Sequence, residues 1–145
     1  MTSLRTFLLD KGYLRIKLSA TPTGHFKFNI KLNDVSGSFI LDTGASNTCV
    51  DLTSVEQFDL FAEDCEIKAA GAGAIDMMTQ LSSKNKISIK DWEVDDIDVI
   101  LFDLSHVNAA LTNHDQEPVD GIVGADILDR GKAIIDYQYH CLYLK

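Results

Sequence analysis

The sequence predicts a mostly β fold in a single domain that spans residues 1–145. Three observations favour this fold class. Several segments alternate apolar and polar residues with the period of a half-buried strand. Turn-forming residues separate those segments. Hydrophobic residues make up 46% of the 145 residues and charged residues 24%, a globular balance that excludes a disordered or fibrous chain.

The first part of the chain contains the clearest strand patterns. Residues 14–18 alternate apolar and polar side chains, and Phe26–Leu32 does so more cleanly over a longer run. Residues 33–37 have turn chemistry, being mostly Asn, Asp, Ser and Gly. Residues 39–41 then form a short, continuous apolar run, which is typical of a strand buried on both faces.

The rest of the chain predicts further strands and short helices. Thr53 followed by Glu56 fits a capping box, which predicts a helix start after Asp51. Residues 67–81, rich in alanine and glycine near their centre, favour a hairpin with a mobile tip. The remaining predictions are strands at residues 86–90, 94–98, 99–102 and 119–124, one or two helical turns at 105–111, a short helix at 126–130 ended by Gly131, and two strands within 133–144.

The charge balance excludes several classes of partner. Lys and Arg total 13 against 22 Asp and Glu, so the net charge is −9. Such a chain repels phosphate and anionic lipid, so we expect neither nucleic acid nor a membrane as a partner. The longest apolar runs, such as residues 99–102, are far too short to cross a bilayer. The same charge opposes close approach of two copies unless a specific apolar interface overcomes it.

The cysteines indicate a reducing compartment. Cys49, Cys65 and Cys141 form an odd set without C-x-x-C spacing, which suits free thiols, most simply buried as small hydrophobes. Residues 1–12 lack the apolar length and cleavage site of a signal peptide. We therefore expect a cytoplasmic protein.

Two motifs carry the chemical information. In the first, Asp42, Thr43, Gly44 and Ala45 follow directly on the buried run at residues 39–41. Taken alone, Asp42 could simply begin a turn and accept backbone N–H bonds. In the second, Ile122, Val123 and Gly124 form an apolar strand that runs through a glycine into a short helix. A glycine at that point allows two backbones to pass closely.

This pair of motifs, in this order and at this separation, resembles the retropepsin-like aspartic proteases. These are the single-lobed relatives of pepsin found in retroviruses, retroelements and bacteria. The resemblance extends from Phe26–Leu32 to residues 134–137, and residues 104–118 look like an insertion relative to the compact viral enzymes. It implies a small closed β-barrel-like lobe with one or two short helices, and cleavage of a peptide or protein substrate.

The resemblance also implies roles for individual residues. Asp42 would be the catalytic aspartate. Thr43 would brace the loop across a symmetry axis, and Gly44 would allow the turn and offer its backbone to substrate, next to Ala45. The strand of Ile122, Val123 and Gly124 would lie beneath this loop. The tip formed by Gly71, Ala72 and Gly73 would be the flap that closes on a bound peptide.

Hydrolysis in this family uses two carboxylates around one water, one as general base and the other, protonated, polarising the carbonyl. The chain has only one Asp-Thr-Gly sequence. Asp120 lacks the threonine and the preceding buried strand, and Asp126 lies at a helix start, where we expect it to act as an N-cap. A homodimer that places Asp42 opposite its symmetry mate would complete the site. No cofactor and no metal are expected.

Other functions are less well supported by the residues. A non-catalytic peptide-binding or scaffold module that keeps the protease lobe is the main alternative. His114, Asp115 and Glu117 lie in a short polar loop without metal-ligand spacing, so we expect them to be solvated. Cys49 lies near Asp42 but has no visible histidine partner, which disfavours a thiol protease.

Overall fold

A computed structural model describes residues 2–65 and 79–145. Within these ranges the chain forms strands, three short α-helices and one 3-10 turn at Leu52–Ser54. The helices are α1 (Leu4–Asp10), α2 (Ser105–Thr112) and α3 (Ala125–Arg130). The strands are β1 (Leu14–Lys17), β2 (Ser19–Ala20), β3 (Phe26–Leu32), β4 (Val35–Leu41), β5 (Cys49–Asp51), β6 (Glu63–Cys65), β7 (Thr79–Ile89), β8 (Trp92–Phe102), β9 (Gly121–Val123), β10 (Ile134–Asp136) and β11 (Cys141–Leu144).

Six strands close into a barrel. They are hydrogen-bonded in the order β3, β4, β9, β5, β8, β7, and β7 pairs back with β3. β2 extends β3, and β6 extends β7. Closure leaves these six strands without a free edge over the paired stretches. The predicted mostly β, barrel-like fold is therefore confirmed.

Alternation along β3 explains how the barrel is filled. Phe26, Phe28, Ile30 and Leu32 are buried, and the residues between them face outward or are half-buried. The inward side chains join one large apolar cluster with residues from β4, β7, β8 and β11. A turn at Asn33 and Asp34, both at positive φ, connects β3 to β4. β4 therefore begins earlier than the apolar run at residues 39–41 indicates.

The strands predicted between residues 86 and 102 are parts of one long hairpin. β7 and β8 have 11 residues each and turn at Lys90 and Asp91. Their register shifts on either side of Asn85, whose buried amide donates to the backbone oxygen of Ser82 at 2.9 Å. These irregularities interrupt the simple alternation, which is why the sequence pattern divides each strand.

A second, smaller sheet packs at the side of the barrel. β11 lies between β1 and β10, which confirms the two strands predicted within residues 133–144. α1 covers part of this sheet, because Leu8 is buried against Cys141 and Tyr143. No pattern in residues 1–12 predicts α1, so the described residues contain three short α-helices where one or two were expected.

Two other helix predictions have opposite outcomes. α3 ends at Gly131, as predicted. The predicted helix after Asp51 is wrong, because only a 3-10 turn forms there. The Thr53 hydroxyl donates to the carboxylate of Asp51 at 2.8 Å instead of accepting a backbone N–H bond. No helix in residues 2–65 or 79–145 is long and apolar enough to span a membrane.

Candidate active site

The Asp42 backbone is positioned where three strands meet. β9 lies between β4 and β5, parallel to β4 and antiparallel to β5. Immediately after β4, the Asp42 N–H donates to the Val123 carbonyl at 3.0 Å, which continues the β4–β9 ladder by one bond. Ile122 and Val123 are buried directly beside this turn. The structure therefore places the predicted strand next to the predicted aspartate.

A tight turn follows Asp42 and holds its side chain. The Gly44 N–H donates to Asp42 Oδ1 at 2.8 Å, and the Ala45 N–H donates to the Asp42 carbonyl at 3.2 Å. Thr43 and Gly44 are exposed, whereas the Ala45 side chain is buried in an apolar cluster with Ile122. The first motif thus presents Asp42, Thr43 and Gly44 to solvent and anchors the loop through Ala45.

Gly124 allows the loop and β9 to approach each other. A Cβ added to Gly124 would lie 2.7 Å from the Ala45 carbonyl oxygen and 2.8 Å from the Asn47 backbone. Both contacts are with backbone atoms, so a side chain would force the loop away. The Ala125 N–H also donates to the Ala45 carbonyl at 2.7 Å.

The expectation that Asp126 acts as an N-cap is wrong. Gly124 is the N-cap of α3, and Asp126 lies in the first turn. Its Oδ2 accepts the Thr48 N–H at 3.0 Å, and its Oδ1 accepts the Thr48 hydroxyl at 2.8 Å. The Thr48 oxygen in turn accepts the Gly124 N–H at 3.1 Å. Asp126 therefore ties the far end of the Asp42 loop to α3.

The half-exposed Asp42 opens into a small cleft. The cleft has a volume of about 180 Å³ and is lined by Gly24, His25, Phe26, Leu41, Asp42, Thr43, Ile135 and Tyr137. Asp42 is the only acidic residue among these described lining residues. The Phe26 and Tyr137 rings lie 4.8 Å apart between centroids, so one wall of the cleft is aromatic.

Asp120 does not supply a second carboxylate to this cleft. Its N–H donates to the Ser38 carbonyl at 2.7 Å, and its Oδ2 accepts the Ser38 N–H at 2.9 Å. Ser38 is four residues before Asp42 along β4, a distance of about 13 Å at 3.3 Å per residue. Asp120 thus fixes the opposite end of β9.

Cys49 shows how the site affects a neighbouring thiol. Burial, followed by the negative charges of Asp126 and Asp42, raises the pKa of Cys49 to about 12. Its Sγ donates to the Asn47 carbonyl at 3.2 Å. Since the thiolate is the nucleophilic form, we expect this side chain to react slowly at neutral pH.

A larger cavity lies away from Asp42. An open groove of about 660 Å³, larger than the Asp42 cleft, crosses β3, β4 and the β7–β8 turn, and its charged lining residues include Lys31, Asp34, Lys90 and Glu93. Charges of both signs face solvent there, so volume alone does not identify the site. In the described part of the chain, no group of three His, Cys, Asp or Glu side chains could hold a metal ion.

Sequence reasoning found the loop but not its surroundings. Thr48, Asp126 in its observed role, and the cleft residues His25 and Tyr137 were missed as parts of the site. The hydrogen-bond partners of Thr48, for example, lie 76 and 78 residues away along the chain, and no local sequence pattern predicts such contacts. The predicted flap residues Gly71, Ala72 and Gly73 lie outside the described residues.

Comparisons with known proteins agree with this geometry. A family model described as Aspartyl protease matches residues 28–127. A comparison with curated proteins gave no match. A retropepsin-like aspartic protease from Rickettsia conorii is similar in structure, with 18% identity over 91% of this chain and 89% of that chain and a TM-score of 0.62.

Two further solved structures are similar. The retroviral protease-like domain of Ddi1 from Leishmania major has 16% identity over 82% of this chain and 86% of that chain, with a TM-score of 0.51. EIAV protease, in complex with the inhibitor HBY-793, has 16% identity over 81% of this chain and 98% of that chain, also with a TM-score of 0.51. The family match covers more than half of the chain. The chain therefore belongs to the aspartyl protease family and has the retropepsin-like fold.

Proposed function

We propose that this protein is an aspartic endopeptidase whose active site contains Asp42 from each of two copies of the chain. The observation that carries the proposal is the placement of Asp42. Its carboxylate lies on a tight, glycine-containing turn that follows β4 beside β9, half-exposed in a cleft, in a chain of the aspartyl protease family. We also propose that residues 1–145 form one domain, because β3, from the first part of the chain, and β9, from the last part, belong to the same barrel.

In the proposed reaction the two carboxylates have different roles. The ionised Asp42 removes a proton from a water molecule, and the resulting hydroxide attacks the scissile carbonyl carbon. The protonated Asp42 of the other copy donates a hydrogen bond to the carbonyl oxygen. Proton transfer to the amide nitrogen then allows the C–N bond to break, which yields a carboxylate and an amine. One shared proton suffices, because two adjacent carboxylates cannot both ionise.

The neighbouring residues have supporting roles in this proposal. The Gly44 N–H, at 2.8 Å from Asp42 Oδ1, holds the carboxylate in one orientation. Thr43, which is exposed, would meet the other copy across the symmetry axis. Gly71, Ala72 and Gly73 would supply the flap. Neither a metal nor a cofactor enters the reaction, since water activation rests on the carboxylates alone.

The direct test is proteolysis of a denatured protein by purified protein. Asp42→Asn should lower cleavage by at least about 10³-fold, because it removes the base and keeps the side-chain shape. Asp95→Asn is a matched control, because it makes the same charge change on an exposed face of β8. A statine-type inhibitor should stop cleavage by the unmodified protein.

Two outcomes would contradict the proposal. Equal cleavage by Asp42→Asn and Asp95→Asn would remove Asp42 from the mechanism. Binding of unfolded peptides without any cleavage, by a folded and dimeric protein, would instead favour the peptide-binding module. Circular dichroism of each variant establishes that a loss of cleavage is not a loss of fold.

A further inference from the structure

The proposed mechanism restricts where a second copy can dock. Two carboxylates that share a proton lie about 3 Å apart, so a two-fold axis must pass beside Asp42. An interface of this type uses the same surface on both copies. Exposed groups that lie next to Asp42, on the side of the axis, must therefore contact the partner.

A tyrosine-rich surface begins at the Asp42 cleft. Tyr137 lines that cleft and is 73% exposed, although its ring packs on Phe26. Tyr139, in the same β10–β11 turn, is 62% exposed. Two large, exposed tyrosine rings therefore lie in one turn beside the Asp42 cleft.

The same surface continues onto α1. Tyr139 and Leu4 line a common cavity of about 240 Å³. Phe7 lies one turn after Leu4 on the helix, and the two residues are 49% and 50% exposed, respectively. We call the surface formed by Tyr137, Tyr139, Leu4 and Phe7 the tyrosine face.

The area of the tyrosine face suits the centre of a dimer interface. An aromatic side chain contributes about 150–250 Å² when it is fully buried, so the exposed parts of the three aromatic rings and of Leu4 offer a few hundred Å² of mainly apolar surface. A patch of that size is about as large as the largest apolar patch that a typical monomer exposes, and such patches are often functional. A stable interface needs about 800 Å² per partner, and a polar rim would supply the remainder.

The local charge also favours self-association. The net charge of −9 opposes contact between two copies. The cavity shared by Leu4 and Tyr139 is instead lined by Arg5, Arg15 and Asp136, which carry both signs. Two copies that meet at this surface therefore avoid the repulsion that most of the acidic chain would produce.

From these observations we infer that the tyrosine face is the surface through which a second copy of this chain docks. The inference rests on the proposed function, because it takes the need for two Asp42 carboxylates as given. It adds the location of the contact and the residues that dominate it.

Sedimentation velocity over a concentration series tests this assignment. Tyr137→Ser should raise the dimer Kd by at least about 100-fold, because a central aromatic residue is lost from both copies. Leu4→Ser on α1 should raise it in the same direction. Phe61→Ser is the matched control, because Phe61 is 83% exposed and lies just before β6; its Kd should stay within about threefold.

The outcomes separate this inference from the proposed function. If both face variants keep the Kd of the unmodified protein while Asp42→Asn abolishes cleavage, the tyrosine face is the wrong surface and the protease assignment stands. An unchanged Kd with a raised KM in Tyr137→Ser would show that substrate covers the face. If the unmodified protein cleaves as a monomer, the two-copy mechanism itself fails.

Discussion

The buried hydroxyl of Thr48 provides a stringent test of how the Asp42 loop is held. Thr48 is 0% exposed. Its hydroxyl donates to Asp126 at 2.8 Å and accepts from the Gly124 N–H at 3.1 Å. Thr48→Val keeps the shape of the side chain and removes both hydrogen bonds.

The expected cost follows from these two bonds. A hydrogen bond to a charged group is worth about 1.5–3 kcal/mol, and a buried N–H left without a partner costs about 1–3 kcal/mol. The added valine methyl offsets about 1 kcal/mol. We therefore expect Thr48→Val to lower the free energy of unfolding by about 3 kcal/mol, which corresponds to a fall in Tm of about 10 °C.

Thr48→Ser is the control, because it keeps the hydroxyl and removes one methyl group at a cost of about 1 kcal/mol. Urea unfolding followed by circular dichroism, at one fixed protein concentration, measures both variants. The larger and more apolar valine should be the less stable of the two. If Thr48→Val is as stable as Thr48→Ser or more so, the Asp126–Thr48–Gly124 network does not hold the loop.

Three further predictions concern the same region. Gly121→Ala should lower the free energy of unfolding by about 3 kcal/mol in urea titrations, because its Cβ would lie 2.3 Å from the Cys49 carbonyl oxygen and 2.4 Å from the Phe39 ring. Cys49, whose pKa is raised from 9.0 to about 12, should alkylate slowly at pH 8 until the protein unfolds, as measured by mass mapping. The free energy of unfolding should also fall as the pH rises from 9 toward 12, because the Cys49 thiol loses its proton at a lower pH in the unfolded chain than in the folded one. Ala45→Ser should move the pH optimum of cleavage downward, because a hydroxyl donor near Asp42 would stabilise the ionised carboxylate; unchanged acid and alkaline limbs would contradict this.

Local sequence patterns predict the bounds of a strand or helix when one of its faces is buried along its whole length. The alternation from Phe26 to Leu32 gave the bounds of β3, because its inward residues meet the core at every second position. α1 has no such pattern, since only Leu8 among its seven residues is buried. Its other apolar residues are exposed, so their spacing does not distinguish a short helix from a segment without regular secondary structure.

Two predictions were wrong because the side chains involved can form more than one kind of hydrogen bond. Thr53 and Glu56 have capping-box spacing, yet the Thr53 hydroxyl bonds to Asp51 in a 3-10 turn. Asp126 stands near a helix start, yet its carboxylate binds Thr48. In both cases a tertiary contact or a neighbouring acceptor replaced the expected backbone partner.

The candidate site also has one part that the sequence predicts and one part that it does not. The Asp42 turn could be predicted because its residues are contiguous and chemically distinctive. The cleft could not, because Tyr137 reaches Asp42 only through the packing of the β10–β11 turn on Phe26. Non-local walls of this kind depend on the closed barrel and the small sheet together.

The most direct test of the two-copy site is a mixing experiment. Unmodified protein, held at a fixed concentration above the dimer Kd, is titrated with Asp42→Asn, and cleavage is measured after subunits have exchanged. A mixed dimer has one carboxylate and one amide, so it lacks one of the two carboxylates that the mechanism needs and should not cleave. Cleavage per unmodified chain should therefore fall in proportion to the fraction of unmodified chains, to about half in an equal mixture. Cleavage per unmodified chain that stays constant as Asp42→Asn is added would show that one chain forms a complete site, and would contradict the account.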